Sequence, residues 1–351
     1  STPIKSSAAS DVYKRQVHSV RFNLSDIGNN RYDLFWGLEM TIFCINIIIL
    51  LFVPFLMIGV IKKTKAFWAG RKGVSIWQPL WDFIRLMKKQ AVISETTSWV
   101  FKFAPVVGFA SVIFASLFVP LTFGSPIINV PFAFVIFSYV LGLGKFFSLL
   151  SALDTGSSFE GMGASREACF STIVEPAFFI ALGSIAALTQ NYTFESFKLI
   201  LQNAGGYGIL IIILAAVTLF IMLLIEGCRV PVDDPTTHLE LTMIHEVMIL
   251  DNSGKDLGLI TWASAIKMFI FEALIANLII PASLGGWETL LAFLAIIFVL
   301  SIVIGTVESS MARFRMTHVF EFIFIMSITA LIILALSLIH ISEPTRPRLI
   351  S

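Results

Sequence analysis

Eight stretches of about twenty residues pass with hardly a charge, at 34–60, 103–123, 130–150, 168–189, 208–226, 257–281, 288–308 and 319–338. As an α-helix rising about 1.5 Å per residue, each is long enough to cross about 30 Å of hydrocarbon. In lipid every backbone N–H and C=O must be satisfied within the protein, and a helix does this by itself. The pattern therefore predicts an all-α, polytopic membrane helix bundle of about eight transmembrane helices. The composition agrees: 57% of residues are hydrophobic and 13% charged, against about 25% charged in a soluble domain. This excludes a soluble enzyme, and nothing in the chain suits nucleic acid. Cys44, Cys169 and Cys228 have no paired spacing, so no iron–sulfur cluster, zinc site or disulfide framework is expected within the chain.

Residues 1–16 and 339–351 differ abruptly in composition from what lies between. They read as a non-native leader and tail flanking a single integral membrane domain over 17–338. The loop 61–102 carries Lys62, Lys63, Lys65, Arg71, Lys72, Arg85, Lys88, Lys89 and Lys102 against two acids, Asp82 and Glu95. The positive-inside rule places it in the cytoplasm. Alternation then brings 151–167, 227–256 and 309–318 to the same face. On that face Ile76, Trp77, Leu80, Trp81, Ile84 and Met87 share one side of a helix. They predict an amphipathic cytoplasmic-face helix at the membrane interface, either a plain anchor or one wall of a docking surface or cavity.

Against this oily background, EGCRVPVDDPTTHLELTMIHE (226–246) stands out: Glu226, Asp233, Asp234, Glu240 and Glu246, with Arg229, His238 and His245. Pro231 and Pro235 prevent a smooth helix there, and a new helix is expected near His238, with Thr237 and Glu240 spaced as a capping box. His238 and His245 are seven residues apart, about 10 Å along a helix, too far for one ion. No metal site is predicted. The acids either face water on a capped interfacial loop or form a charge-handling site.

A second group, Asp154, Glu160, Arg166 and Glu167, falls in the Gly- and Ser-rich stretch 153–167, read as a flexible connection or a loop pinned against a partner or cavity. Glu175, Lys267 and Glu272 lie inside spans, where each costs about 2.5–3.5 kcal/mol, so they should face a polar interior or a partner. Lys267 and Glu272, five apart, are not expected to pair. Lys145 and Glu39 lie near span ends and read as snorkelling side chains. Glu308, Arg313 and Arg315 mark the cytoplasmic end of the seventh span.

RVPVDDPTTHLELTMIHE (229–246), taken with DTGS (154–157), GASREA (163–168), Gln78-Pro79 and ESSMAR (308–313), closely resembles the membrane subunit of group 4 energy-converting [NiFe] hydrogenases. This is the formate hydrogenlyase subunit 4 family, related to the quinone-chamber subunit of respiratory complex I. In register with that relative's acidic motif stand Glu226, Arg229, Pro231, Asp233, Pro235, Glu240 and Leu241. Thr236 and His238 replace two of its glutamates, and Arg166 and Glu175 match a further arginine-to-glutamate interval. The resemblance implies a membrane anchor and ion-coupling subunit with no cofactor of its own, in the cell membrane of a prokaryote. Soluble hydrogenase large and small subunits and a ferredoxin-like iron–sulfur subunit, carrying [NiFe] and [4Fe-4S] centres, would dock on its cytoplasmic face. Antiporter-like membrane subunits would pack beside it. On this reading Glu226, Arg229, Asp233, Asp234, His238, Glu240, His245, Glu246, Glu175, Arg166, Lys267 and Glu272 are the ion-coupling residues. Asp154, Glu160, Glu167, Gln78, Asp82, Glu308 and Arg313 serve partner docking. The alternatives are a quinone-binding, proton-pumping subunit of an NADH dehydrogenase-like assembly, and an autonomous carrier.

Overall fold

A computed structural model describes residues 40–122, 126–203, 205–234, 243–281 and 284–342. Eight helices are long and apolar enough to cross a membrane: α1 Met40–Trp68, α3 Trp99–Ser116, α4 Ala133–Asp154, α5 Ser158–Thr189, α7 Gly208–Glu226, α9 Gly254–Ile279, α10 Trp287–Ser310 and α11 Met316–Ser342. Three shorter helices join them: α2 Gln78–Lys88, α6 Ser196–Asn203 and α8 His245–Met248. Among the described residues there is no strand. Residues 40–49 begin α1, and the chain from Leu50 onward is one compact unit. The predicted leader, and Glu39 with it, lies outside the described residues. The predicted tail does so from 343, whereas Ile339–Ser342 continue α11.

The bundle is built around α9. Phe269, Ile270, Phe271, Glu272, Ala273 and Leu274 are all fully buried, which leaves this stretch no lipid face. A helix apolar on every side is what such a central position calls for, and it is where Lys267 and Glu272 sit. Trp262 of α9 packs on Phe55 of α1, Phe83 of α2 and Phe109 of α3, with ring centroids 4.7–5.7 Å apart. Such pairs add about 0.5–1.5 kcal/mol each beyond area burial.

The amphipathic helix is α2, and it has two apolar sides. Pro79, Phe83 and Leu86 turn inward and line a cavity, while Trp77 and Trp81 are exposed. The helix is thus a cavity wall, and it keeps an outward tryptophan face of the kind found at headgroup depth. Gly59 of α1 allows the approach: a Cβ there would collide with the Ile76 carbonyl.

The stretch 153–167 departs from expectation. It is not a flexible loop, because α5 starts at Ser158 and runs unbroken for 32 residues. One of the glycines that suggested mobility serves close packing instead. At Gly163 a Cβ would meet Val247, Met248 and the Ile244 carbonyl, so this glycine lets α8 lie against α5. Helix α8 itself covers only His245–Met248, and the helix start expected near His238 falls outside the described residues.

Candidate functional site

The end of α7 sets the geometry. Arg229 N–H returns to the Leu224 carbonyl (2.9 Å) and Cys228 N–H to that of Ile225 (3.1 Å). These are the paired bonds of a Schellman closure, with Cys228 in the left-handed position (φ 52°) where glycine is usual. After this reversal Glu226, Arg229 and Asp233 point to three different sets of neighbours.

Glu226 is the last residue of α7. Its Oε1 accepts from Lys145 Nζ of α4 at 2.5 Å, and its Oε2 from Lys267 Nζ of α9 at 3.2 Å. Lys145 Nζ also donates to Ser171 Oγ at 3.0 Å and lies 3.4 Å from Glu167 Oε1, both on α5. Four helices thus contribute to one alternating row, Lys267–Glu226–Lys145–Glu167, in which two ammonium ions face two carboxylates. A cavity of about 90 Å³ adjoins the row and is also lined by His245 and Asn252. Asn252 is buried, and its Oδ1 has no hydrogen-bond partner. The walls are mostly apolar, but the charged row and Asn252 supply polar partners, and the volume suits several ordered waters.

Arg229 Nη1 lies 3.3 Å from Oε1 of Glu308 at the end of α10, and Lys65 Nζ of α1 lies 2.9 Å from the other oxygen. Asp233 is fixed differently. Arg313, in the α10–α11 connection, pairs with its Oδ1 at 3.1 Å. The backbone N–H groups of Ile244 and His245 donate to Oδ2 at 3.0 and 3.1 Å, and that of Asp234 donates to Oδ1 at 2.9 Å. Asp233 thereby satisfies the otherwise free amides at the start of α8. Arg166 of α5 adds a bond from Nη1 to the Met243 carbonyl at 2.8 Å. Eight residues from Glu226 to Asp233 therefore tie α1, α4, α8, α9, α10 and the 311–315 connection to one turn of chain.

Other expected site residues fall into distinct roles. Lys267 and Glu272 do not pair, as expected from their spacing. Glu272 is fully buried in α9, with Oε2 3.5 Å from Ser301 Oγ and Oε1 unpartnered. Glu175 is exposed, two turns along α5 from Glu167. Glu246 lines, with His245, the larger cavity of about 560 Å³ between α1, α2, α9 and the 227–229 turn. Asp82 accepts from Gln78 at 2.8 Å and faces that same cavity. Asp154 Oδ2 accepts from Ser98 N–H (2.7 Å), Ser98 Oγ (2.9 Å) and Phe101 N–H (3.3 Å), so it anchors the start of α3. Glu160 is fully buried and accepts from Asp251 N–H at 2.9 Å. It offers no surface to a docking partner; it pins the turn between α8 and α9. His238 and Glu240 lie outside the described residues. Among the described residues no group of three or more His, Cys, Asp or Glu is placed to hold a metal ion.

Lys145 is the residue the sequence reading misplaced. It does not snorkel. Helix α4 continues to Asp154, nine residues or about 14 Å beyond it, and its ammonium is turned inward between Glu226 and Glu167. Its partners stand 22 and 81 residues away in the chain, so no local pattern marks it. The available signal was a lysine inside a long apolar run, which calls for a partner.

Hydrogenase-4 component C of Escherichia coli (strain K12) is 30% identical over 238 residues, covering 67% of this chain and 73% of that protein. Formate hydrogenlyase subunit 4 of the same organism is 26% identical over 282 residues, 78% of this chain and 90% of that one. A chain in the structure of the membrane-bound sulfane sulfur reductase, an archaeal respiratory membrane complex, shares the fold with a TM-score of 0.70 at 20% identity, over 86% of this chain and 99% of its own. The profile of the NADH dehydrogenase family matches residues 40–339, nearly the whole described bundle, and this multi-pass membrane chain belongs to that family.

Proposed function

We propose that this chain is the membrane-embedded anchoring and ion-coupling subunit of an energy-converting hydrogenase or formate hydrogenlyase complex, linking electron transfer in docked soluble subunits to H⁺ or Na⁺ translocation. The observation that carries the reading is the Glu226–Asp233 turn. Its three charges, Glu226 and Asp233 buried and Arg229 half-buried, hold separate sets of elements, so a partner that displaces the turn perturbs a charge row inside the bundle. Moving one charge against 100 mV costs about 2.3 kcal/mol, equivalent to a change of about 1.7 pKa units. Adding or removing one ammonium neighbour of a desolvated carboxylate supplies that much.

The soluble partners are hydrogenase large and small subunits and a ferredoxin-like iron–sulfur subunit, bearing the [NiFe] and [4Fe-4S] centres. They dock where Glu246, Arg313 and the ends of α2, α5 and α8 gather, on the cytoplasmic face of a prokaryotic cell membrane. Antiporter-like subunits pack laterally and cover the exposed Glu175, because a carboxylate facing lipid would cost about 2.5–3.5 kcal/mol.

The test is Glu226→Gln in the complex purified from membranes. Its copurifying subunits should include the hydrogenase pair. In inverted vesicles the variant should assemble but lose hydrogen evolution and ion uptake by about tenfold or more, the effect of about 1.4 kcal/mol or more on a coupled step. Unchanged uptake per hydrogen would remove this site from the coupling. A quinone-binding reading draws on the larger cavity, whose volume of about 560 Å³ fits a small-molecule site. Quinone-dependent activity of the same preparation would favour it.

A further inference from the structure

Lys145 is the one cation in the row with two carboxylates in reach, and the contacts are unequal: 2.5 Å to Glu226, 3.4 Å to Glu167. Ser171 Oγ at 3.0 Å holds the ammonium between them. Glu226 does not depend on Lys145 alone, because Lys267 occupies its second oxygen at 3.2 Å. Glu167 has no second cation among the described ion pairs. Exchange of seats therefore requires an ångström-scale swing of a flexible four-carbon stem beside a cavity with room for it. Glu226 keeps one ammonium neighbour in either position, while Glu167 has one or none. That asymmetry makes Glu226 a seat and Glu167 the group whose charge state depends on where the lysine sits.

We propose that Glu167 is the proton-carrying carboxylate of this site and that Lys145 gates it. With the ammonium seated on Glu226, Glu167 takes one proton from hydronium in the adjoining cavity. When the ammonium swings to Glu167, that proton leaves to water. Lys145 stays protonated and Glu226 stays ionised throughout, so one proton is taken up and one released per cycle. Lys145 from α4 pairs with Glu167, and Glu226 from α7, Lys267 from α9 and His245 from α8 line the same cavity, while Ser171 and Glu175 follow one and two turns further along α5. Glu175 is near enough for its charge to act on Lys145. The inference deepens the coupling reading and rests on it: displacement of the 226–233 turn is what would move Glu226, and with it the preferred seat of the lysine.

The assembled complex in inverted vesicles tests it with Lys145→Arg, Lys145→Gln, Glu167→Gln and Glu226→Gln. The readouts are redox turnover with ion uptake, and the carboxylic-acid carbonyl band in redox-induced infrared difference spectra. Lys145→Arg keeps the charge, but a planar guanidinium can hold both carboxylates at once. A gate predicts full assembly, turnover down about tenfold or more, a change of at least one unit in apparent proton affinity, and no redox-linked acid band. Glu167→Gln should lose the same band and the same activity, and it decides the matter should the lysine variants fail to assemble. A fixed ion pair predicts Lys145→Arg and Glu167→Gln close to wild type in turnover, uptake and spectrum, and that result overturns the gate. If Glu226→Gln still uncouples in that case, only the gate falls; if it too is silent, the coupling reading falls with it.

Discussion

Glu226 and Asp233 are seven residues apart, both buried and both paired with cations, yet they are held by opposite means. Glu226 is bound by the tips of two long lysine side chains that reach it from α4 and α9. Asp233 is bound by one arginine and three backbone amides, two of them at the start of α8. A lysine can rotate to another acid, whereas a backbone N–H cannot leave without unfolding its turn. Burial alone thus does not tell a switchable charge from a structural one; the mobility of its partners does. Asp233 defines where the turn is, and Glu226 is free to report that the turn has moved.

The largest effect should come from Asp233→Ala. It removes a buried carboxylate that accepts from three backbone amides and pairs with Arg313, so a loss of about 3–5 kcal/mol in stability is expected. Hydrogen exchange at the Ile244 and His245 amides should accelerate by about two decades or more, since each 1.4 kcal/mol is tenfold. Asp233→Asn should recover part of this, because one side-chain oxygen still accepts. If these amides exchange at the wild-type rate in the alanine variant, Asp233 is not the anchor of α8.

Glu226→Ala should cost less, about 1–3 kcal/mol, although it removes a residue with two ion pairs. Lys145 retains Glu167 and Ser171, and Lys267 is partly exposed and borders the cavity. Thermal unfolding of the two alanine variants in one detergent makes the comparison directly. A larger loss for Glu226→Ala than for Asp233→Ala would reverse the assignment of adaptable and rigid charges. A double-mutant cycle with Lys267→Met should show coupling, because the two residues share one contact.

The contrast also explains what could be read in advance. Eight apolar runs gave eight helices because backbone satisfaction in lipid leaves few other solutions, and run length is a local property. The density of acids at 226–246 was visible for the same reason. Which cation each acid meets was not: Lys145 and Glu226 are 81 residues apart, Arg229 and Glu308 79. Glu160 was misread through its glycine and serine neighbours. In a bundle a glycine can mark close helix contact rather than a loop, and Gly163 against α8 does so. Lys145 was misread because the fourth helix was expected to start, and the third to end, several residues from where they do, which left the lysine near an imagined surface.

The smallest effect would sharpen the comparison most. Cys228 lies between Glu226 and Arg229, at the left-handed residue that closes α7, and it is buried. Burial pushes its thiol well above the ordinary range, so the reactive thiolate is scarce at neutral pH and alkylation at rest should be slow. In a chain with Cys44 and Cys169 replaced by serine, maleimide should label Cys228 slowly in resting vesicles and a few-fold faster during turnover, if turnover displaces the 226–233 turn. Asp233→Ala should raise the resting rate, because the turn has lost its anchor. Lys145→Arg should leave the resting rate unchanged and abolish the acceleration, because the turn is intact but its charge row is locked. Equal labelling at rest and in turnover, with normal pumping, would mean that the turn does not move. The signal reaching Glu226 would then arrive through α4 or α9 rather than through the chain that ends in Asp233.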